Sequence, residues 1–282
     1  MIKTETVLQT DINLKNEVSV LIFTFDNCFV PLLEKSMLNW VEDSVNGYNV
    51  KTVKFNEKQT ELSQIKKNLA KTKYMLVLYS FNPLLTKQNL EVCLDYLIYK
   101  DENLIKLPYG YAFKTEYLKK IKEIKEELLF GGDKSEFLKI STEAEIGYAT
   151  EVLQRRIINN LILKGVKFLN PQSVVINANV LIEPNVTIYS FNTLSGETHI
   201  KTGAILKEGN TITNSEIGAN TAVANSIITD STISSNSVIF PFNTIEQNSF
   251  IGANCVIKSY NKIINACINE NTTIESFNDI GC

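Results

Sequence analysis

The chain of 282 residues is long enough for two domains, and its 44% hydrophobic and 21% charged residues are typical of a globular protein. The formal net charge of −3 gives no electrostatic reason to expect nucleic acid or a membrane surface as a partner. The five cysteines are scattered without a Cys-x-x-Cys pair, which argues against a zinc site or a disulfide framework and favours a cytoplasmic location.

The first half of the chain predicts alternating strands and helices. Apolar or alternating runs predict four strands, at residues 18–25, 50–55, 74–79 and 107–113. Helical patterns predict four helices, at 31–45, at 59–71, after Pro83 and Thr86, and at 115–129, the last one broken by Gly131-Gly132. This order of elements predicts an α/β domain with a mainly parallel sheet.

The carboxyl ends of the strands are the place where such a sheet holds a ligand. Two polar side chains stand at that edge: Asp26 follows the first predicted strand, and Asn82 follows the third. Asp26 and Asn82 are therefore the candidate residues for residual ligand binding, and no group of residues predicts a metal site.

A fifth and longer helix is predicted at 143–163, and Gly165 ends it. It connects two halves of different sequence character. We therefore divide the chain into an α/β domain at 1–140, a linking helix at 141–165 and a repeat domain at 166–282.

The repeat domain carries an aliphatic residue at every fifth or sixth position. Neither a helix nor strand alternation has this period, whereas hexapeptide repeats of β-helices do. Nineteen inward positions predict about six stacked triangular coils, which an ordinary β-sandwich does not explain: Ile176, Ile182, Ile188, Leu194, Ile200, Leu206, Ile212, Ile217, Val223, Ile228, Ile233, Ile239, Ile245, Ile251, Ile257, Ile263, Ile268, Ile274 and Ile280.

Several stretches together resemble one known family. These are "EKSMLNWVEDSV", "YMLVLYSFNPLL", "EVLQRRIINNLILKGVKFLNP", "NSEIGANTAV" and "VIFPFNTIEQNSFIGANCVIKSYNKI". They resemble the bacterial bifunctional N-acetylglucosamine-1-phosphate uridylyltransferase / glucosamine-1-phosphate N-acetyltransferase family, which makes UDP-N-acetylglucosamine. The resemblance implies a truncated, Rossmann-like nucleotidyltransferase domain followed by a left-handed parallel β-helix, and a homotrimer assembled through the β-helix.

The nucleotidyltransferase motifs of that family are altered here. Its phosphate-binding loop, Gly-x-Gly-Thr-Arg, corresponds to residues 24–28, which contain neither glycine nor arginine. Its magnesium-binding Gly-Asp pair corresponds to Ser80 and Phe81, and Asn82 supplies no charge. Since Mg²⁺ needs a carboxylate anchor beside the phosphates, the resemblance predicts that the Mg²⁺ site of the family is lost.

The acetyltransferase positions are altered as well. In an ungapped alignment Ser276 stands at the general-base histidine, Asp279 at a sugar-binding tyrosine, and Glu246 at a phosphate-binding arginine, while Ile264 and Asn265 replace a lysine pair. A serine cannot act as the general base near neutral pH. The sequence also ends at Cys282, before the family's acetyl-CoA coils, so we expect neither cofactor to be used.

Three hypotheses follow from these changes. The first is an inactive homologue that acts as a binding, regulatory or assembly protein in nucleotide-sugar metabolism, including association with an active homologue. The second is an active nucleotidyltransferase or acyltransferase with relocated residues, for which His199, Glu246 and Asp279 are candidates at subunit boundaries. The third is a purely structural oligomerisation module.

Overall fold

The computed structural model describes residues 16–124, 128–129 and 134–281. The chain forms two compact units, and the boundary between them follows Thr150. We call the part up to Thr150 the first unit and the remainder the second unit. The three-part domain division at 1–140, 141–165 and 166–282 stays a prediction, and the helix that it places at 141–165 spans Glu143–Leu163.

Three helices of the first unit begin directly after a residue whose side chain caps them. The helices with described bounds are α1 (Met37–Ser44), α2 (Glu61–Lys67), α3 (Lys87–Tyr99), α4 (Thr115–Lys120) and α5 (Glu143–Leu163). The hydroxyl groups of Ser36, Thr60 and Thr86 accept hydrogen bonds from the third amide of α1, α2 and α3, respectively. Each cap satisfies an amide that the helix itself leaves without a partner.

The first unit is built on one mixed sheet. Its strands are β1 (Val18–Thr24), β4 (Asn49–Lys54), β5 (Tyr74–Tyr79), β6 (Leu104–Lys106), β7 (Tyr111–Lys114) and β8 (Leu128–Leu129), in the order β4-β1-β5-β7-β6-β8. Strands β1, β4 and β5 run parallel, and β7 is antiparallel to both β5 and β6. The apolar strands β1 and β5 are buried along almost their whole length, as expected for central parallel strands.

Three sequence predictions for the first unit were wrong in part. The segment predicted as the start of a helix at 31–45 is a hairpin of β2 (Pro31–Leu32) and β3 (Lys35–Ser36). The single strand predicted at 107–113 begins with the turn between β6 and β7 and continues into β7, which starts only at Tyr111. The helix predicted at 115–129 ends at Lys120, and its break at Gly131-Gly132 lies outside the described residues.

The second unit is a parallel β-helix, which confirms the predicted fold class. After β9 (Lys167–Phe168), nineteen short strands correspond one to one to the nineteen predicted inward positions. They are β10 (Val175–Ile176), β11 (Leu181–Ile182), β12 (Thr187–Ile188), β13 (Thr193–Ser195), β14 (His199–Ile200), β15 (Ile205–Leu206), β16 (Thr211–Thr213), β17 (Glu216–Ile217), β18 (Ala222–Val223), β19 (Ile227–Thr229), β20 (Thr232–Ile233), β21 (Val238–Ile239), β22 (Thr244–Glu246), β23 (Phe250–Ile251), β24 (Val256–Ile257), β25 (Lys262–Ile264), β26 (Cys267–Ile268), β27 (Thr273–Ile274) and β28 (Asp279–Gly281).

These strands form three parallel faces. The first face runs from β10 through every third strand to β28, the second from β11 to β26, and the third from β9 and β12 to β27. The predicted inward aliphatic residues form one continuous core, and only Ile274 and Ile280 of the last coil are partly exposed. No coil can bury its apolar positions alone, so stacking is what stabilises each coil.

A column of polar side chains runs inside the corner between the third and first faces. Asn210 donates to Asn192 Oδ1 at 2.8 Å, and Asn210 Oδ1 accepts from the Ser226 amide at 3.0 Å. The same pattern continues to the Asn261 amide, which donates to Asn243 Oδ1 at 2.8 Å. These side chains are almost fully buried, and their hydrogen bonds satisfy corner amides that have no partner within their own coil.

Within the described part of the chain, no helix combines the length and the apolar character that crossing a membrane requires.

Candidate functional site

The carboxyl edge of the parallel strands in the first unit is the place where the candidate residues Asp26 and Asn82 were expected. Ser80, at the end of β5, ties this edge together. Its amide donates to Phe23 O at 2.9 Å, and its hydroxyl accepts from the Phe25 amide at 3.3 Å. Ser80 is fully buried. It therefore fixes the path of the chain where the family has the glycine of its Gly-Asp pair.

Phe81 is the residue for which the resemblance implies the magnesium-binding aspartate of the family. Its ring lies 5.0 Å from Phe25, 5.1 Å from Tyr79 and 5.4 Å from Tyr109, centroid to centroid. The side chain is nearly buried in this aromatic cluster, where an unpaired carboxylate would be strongly disfavoured. The donor set at this position is aromatic rather than anionic, so it does not fit a Mg²⁺ ion.

Asn82 is fully buried and holds a later part of the chain in place. Its side-chain amide donates to Phe137 O at 3.0 Å and to Leu138 O at 3.1 Å. We call residues 135–140 the closing segment. Asn82 Oδ1 is buried and has no hydrogen-bond partner in the described chain.

The closing segment is fixed at several further points along the same edge. The Ile140 amide donates to Phe81 O at 3.0 Å, and Asn27 Nδ2 donates to Ile140 O at 3.1 Å. The carboxylate of Glu136 accepts from the amide of Thr86 at 2.9 Å and from its hydroxyl at 2.7 Å. Ile140 is fully buried. The chain thus fills with its own residues the part of this edge that follows β5, whereas the part beside β1 and β4 stays open.

Asp26 lies apart from Asn82, at the mouth of an open cleft of about 550 Å³ that also includes Phe25, Phe55 and Lys58. Its side chain is 91% exposed, and its carboxylate pairs with Lys54 Nζ at 2.9 Å. The hydrogen bond that Lys54 donates to the Asp26 carboxylate raises the pKa of Lys54. Because both partners are exposed, this pair contributes little to stability. Asn82 does not line this cleft, so the structure does not join the two candidate residues into one pocket.

One polar cluster at this edge was missed by the sequence reasoning. The Glu61 carboxylate accepts hydrogen bonds from the Tyr79 hydroxyl and, at 3.1 Å, from the Tyr111 hydroxyl. Burial raises the pKa of Tyr79, and the neighbouring Glu61 carboxylate raises it further. The two tyrosines come from β5 and β7 and the glutamate from the start of α2, so only the tertiary fold brings them together.

The residues that the resemblance assigns to the acetyltransferase site of the family lie on the first face and its corners. Glu246 on β22 stands beside Ile264 on β25 in the strand register, and Asn265 follows in a left-handed conformation. Asp279 on β28 stands beside Lys262, and Ser276 lies in the corner before β28. The single histidine of the sequence, His199, is not one of these residues.

His199 lies elsewhere, on β14 of the second face. Its Nε2 is 3.0 Å from Glu183 Oε1, and the other oxygen of Glu183 accepts the Thr202 amide at 2.8 Å. The Thr202 amide and, after it, His199 lower the pKa of Glu183. Within one chain, His199 is thus on a different face from Glu246 and Asp279, and the structure does not bring these three candidates together.

On α5, Arg155 forms an ion pair with Glu151 one turn earlier, at 2.6 Å. In the described residues, no three His, Cys, Asp or Glu side chains are arranged to hold a metal ion.

The fold of the second unit defines a β-helix protein of the hexapeptide-repeat class. Curated relatives that match this chain carry the name bifunctional protein GlmU. The protein from Trichormus variabilis is 34% identical over 149 residues, which are 53% of this chain and 33% of the relative. Those from Streptococcus thermophilus and Clostridioides difficile are 32% identical over 149 residues (53% and 32% of the two chains) and 29% identical over 171 residues (61% and 37%).

These similarities confirm the resemblance derived from the sequence, so the chain is related to GlmU. The chain spans about a third of the length of the curated relatives that it matches. No family model matches the chain.

Proposed function

We propose that this chain is a GlmU-related protein without uridylyltransferase or acetyltransferase activity, which acts as a binding, regulatory or assembly protein in nucleotide-sugar metabolism. The observation that carries this proposal is the filled position directly after β5, where the resemblance places the metal site of the family. Phe81 replaces the carboxylate that would anchor Mg²⁺, and Asn82 fastens the closing segment over the same edge. A nucleoside triphosphate would need a charged, open site at this position after β5.

The second unit supports the same proposal. Ser276 provides no base, and Glu246 places a negative charge where a sugar phosphate would need a positive one. The free thiols of Cys28, Cys93 and Cys255 are compatible with the cytoplasmic location that we propose for this function.

We further propose that the β-helix assembles into a homotrimer through its third face. Beyond Lys167 on β9, the outward residues of this face form an uncharged column: Thr187, Ile205, Ala222, Val238, Val256 and Thr273. The second face, in contrast, carries the charged or polar residues His199 and Glu216 in its outward column. An apolar, flat surface depleted of charge is the type of surface that obligate interfaces bury. An active GlmU homologue with a similar face is the partner that we propose for mixed assemblies.

The test is a pair of product assays on the full chain, with a curated bifunctional GlmU as positive control. One mixture contains UTP, N-acetylglucosamine 1-phosphate and Mg²⁺, and the other contains acetyl-CoA and glucosamine 1-phosphate. We expect no product in either mixture. Formation of UDP-N-acetylglucosamine or of the acetylated sugar at a rate within about a hundredfold of the control would overturn the proposal, because loss of a general base alone lowers the rate by about 10²–10⁴.

A second candidate function is acyl transfer at a relocated site, and the His199–Glu183 pair is the observation that favours it. A carboxylate that binds one nitrogen of an imidazole orients the ring and strengthens it as a base. Calorimetry with acetyl-CoA tests this candidate: binding that is lost in His199→Ala supports it, and the absence of binding excludes it.

A further inference from the structure

The three corners of the β-helix use different residues at the same backbone position. At most corners of each coil, one residue adopts a positive φ, which asparagine and glycine tolerate best. The corners that lead into the second and third faces use mainly Asn, Asp and Gly there, such as Asn214 and Asn220. The corner that leads into the first face, which we call the aromatic corner, has in successive coils Phe191, Gly209, Asn225, Phe242, Tyr260 and Phe277.

Four of the six residues in the aromatic corner are therefore Phe or Tyr in a conformation that bulky side chains rarely adopt. Their φ angles are between 59° and 68°. The rings of Phe242, Tyr260 and Phe277 stack at centroid distances of 5.0 and 5.1 Å, close to the strand spacing of a parallel sheet. All three remain more than half exposed. Backbone strain of this kind is typical of positions that serve a function.

The column of rings is interrupted for two coils, where Gly209 and Asn225 stand in place of a ring. This gap forms a notch of about 290 Å³ lined by Gly209, Asn225, Ile227, Phe242 and Thr244. Phe242 stacks on Tyr260 with one side of its ring and lines the notch as well. The notch thus offers an aromatic ring to a molecule about the size of one six-membered ring with its substituents.

The polar groups of the notch are neutral. Asn225 is exposed, and within the described chain its side-chain amide makes no hydrogen bond, unlike the corner residue Asn214, which donates to Asp230 at 3.1 Å. Thr244 adds a hydroxyl group, and no residue that lines the notch is charged. A sugar ring has the matching character, because its C–H faces pack on an aromatic ring while its hydroxyl groups need donors and acceptors.

We propose that the notch in the aromatic corner is a binding site for an uncharged pyranose ring, which packs on Phe242 and hydrogen-bonds to Asn225. The absence of a cation among the lining residues selects against sugar phosphates and nucleotides. The site is in the middle coils of the β-helix and does not depend on the proposed loss of transferase activity.

Saturation-transfer NMR on the full chain tests the site, with methyl β-glucopyranoside, methyl β-galactopyranoside and N-acetylglucosamine as probes and glucose 6-phosphate as the charged comparison. We expect transfer to the ring C–H protons of at least one neutral sugar. Asn225→Phe continues the column of rings into the notch and should abolish the transfer. Phe242→Ala should weaken binding by about two- to tenfold, the loss of one aromatic contact.

Phe277→Ala is the matched control, because it removes a ring of the same column that does not line the notch, and it should leave the transfer unchanged. Far-UV circular dichroism establishes that each variant is folded, and Gly209→Phe replaces Asn225→Phe if the latter is not. The proposal is overturned if no neutral sugar receives transfer, if transfer persists in the filled-notch variant, or if glucose 6-phosphate binds as well as the neutral sugars.

Discussion

The adjacent residues Ile227 and Ile228 on β19 allow the inward assignment to be tested with one residue type. Ile228 is fully buried, whereas Ile227 is 47% exposed on the outer side of the first face. Ile228→Ala and Ile227→Ala delete the same atoms from the same strand. The difference between their effects on the free energy of unfolding therefore measures burial and packing, with β-propensity held nearly constant.

The structure gives the size of the expected difference. Ile228 lies between Ile212 and Ile245 of the neighbouring coils, and backbone hydrogen bonds fix the spacing between these coils. A cavity at Ile228 can collapse only slightly, so we expect a loss of about 3–5 kcal/mol, the upper part of the range for such truncations. Ile227→Ala should lose about 1 kcal/mol or less, since half of its surface already contacts water.

Urea denaturation followed by far-UV circular dichroism provides the measurement. With a slope of about 2 kcal/mol per molar urea, 3–5 kcal/mol corresponds to a shift of about 1.5–2.5 M in the midpoint. Both variants must be measured at the same protein concentration, because assembly makes the midpoint concentration-dependent. Equal shifts for the two variants, or a larger shift for Ile227→Ala, would refute the assignment of inward and outward positions.

Three further outcomes are expected. Asn82→Ala should cost about 1–3 kcal/mol, because two buried carbonyl groups lose their donor, and hydrogen exchange should become faster in the closing segment; unchanged exchange there would contradict the role assigned to Asn82. The Tyr79 hydroxyl should stay protonated above the usual tyrosine pKa of about 10, so its contribution to stability is complete below that pH and is lost as the pH rises further. Glu61→Gln should bring the pKa of Tyr79 closer to the usual value in a phenolate absorbance titration. A Tyr79 pKa that does not fall in this variant would exclude the Glu61 carboxylate as a cause. Val238→Lys on the third face should prevent trimer formation in sedimentation velocity while Thr232→Lys on the second face does not, and a trimer that survives Val238→Lys would exclude the third face as the interface.

The β-helix could be predicted from the sequence because its geometry imposes a period. Each coil repeats the same three inward positions. Once the aliphatic residues five or six positions before and after Ile251 face the core, Ile251 must face the core as well. Cys267, one residue before the inward position Ile268, is exposed on the second face.

The hairpin of the first unit carries no such signal. Its turn residues Leu33 and Glu34 have φ angles of 53° and 65°, a conformation for which glycine or asparagine would be the usual indication. The turn between β6 and β7 contains Gly110, where a Cβ atom would lie only 2.2 Å from Val77 O. That contact is formed by the tertiary fold and was not visible in the local pattern.

The candidate site was predictable only where it depends on strand ends. Asp26 and Asn82 were placed at the correct edge by the order of strands and helices, since parallel strands end together. The burial of Asn82 under the closing segment could not be predicted, because its partners at 137 and 138 are 55 and 56 residues away. The same holds for Glu61 and its two tyrosines, which depend on long-range packing alone.

The buried column of polar side chains between the third and first faces restricts how this protein can change in length during evolution. The hydrogen bonds that link successive members of this column join residues 16 to 18 positions apart, so insertion of a few residues within one coil would move an acceptor away from the amide of the next coil. Duplication or loss of a complete coil would leave every such bond intact. Homologues of this unit should therefore differ by whole turns of the prism, and shorter insertions should be confined to the loops that bulge from its corners.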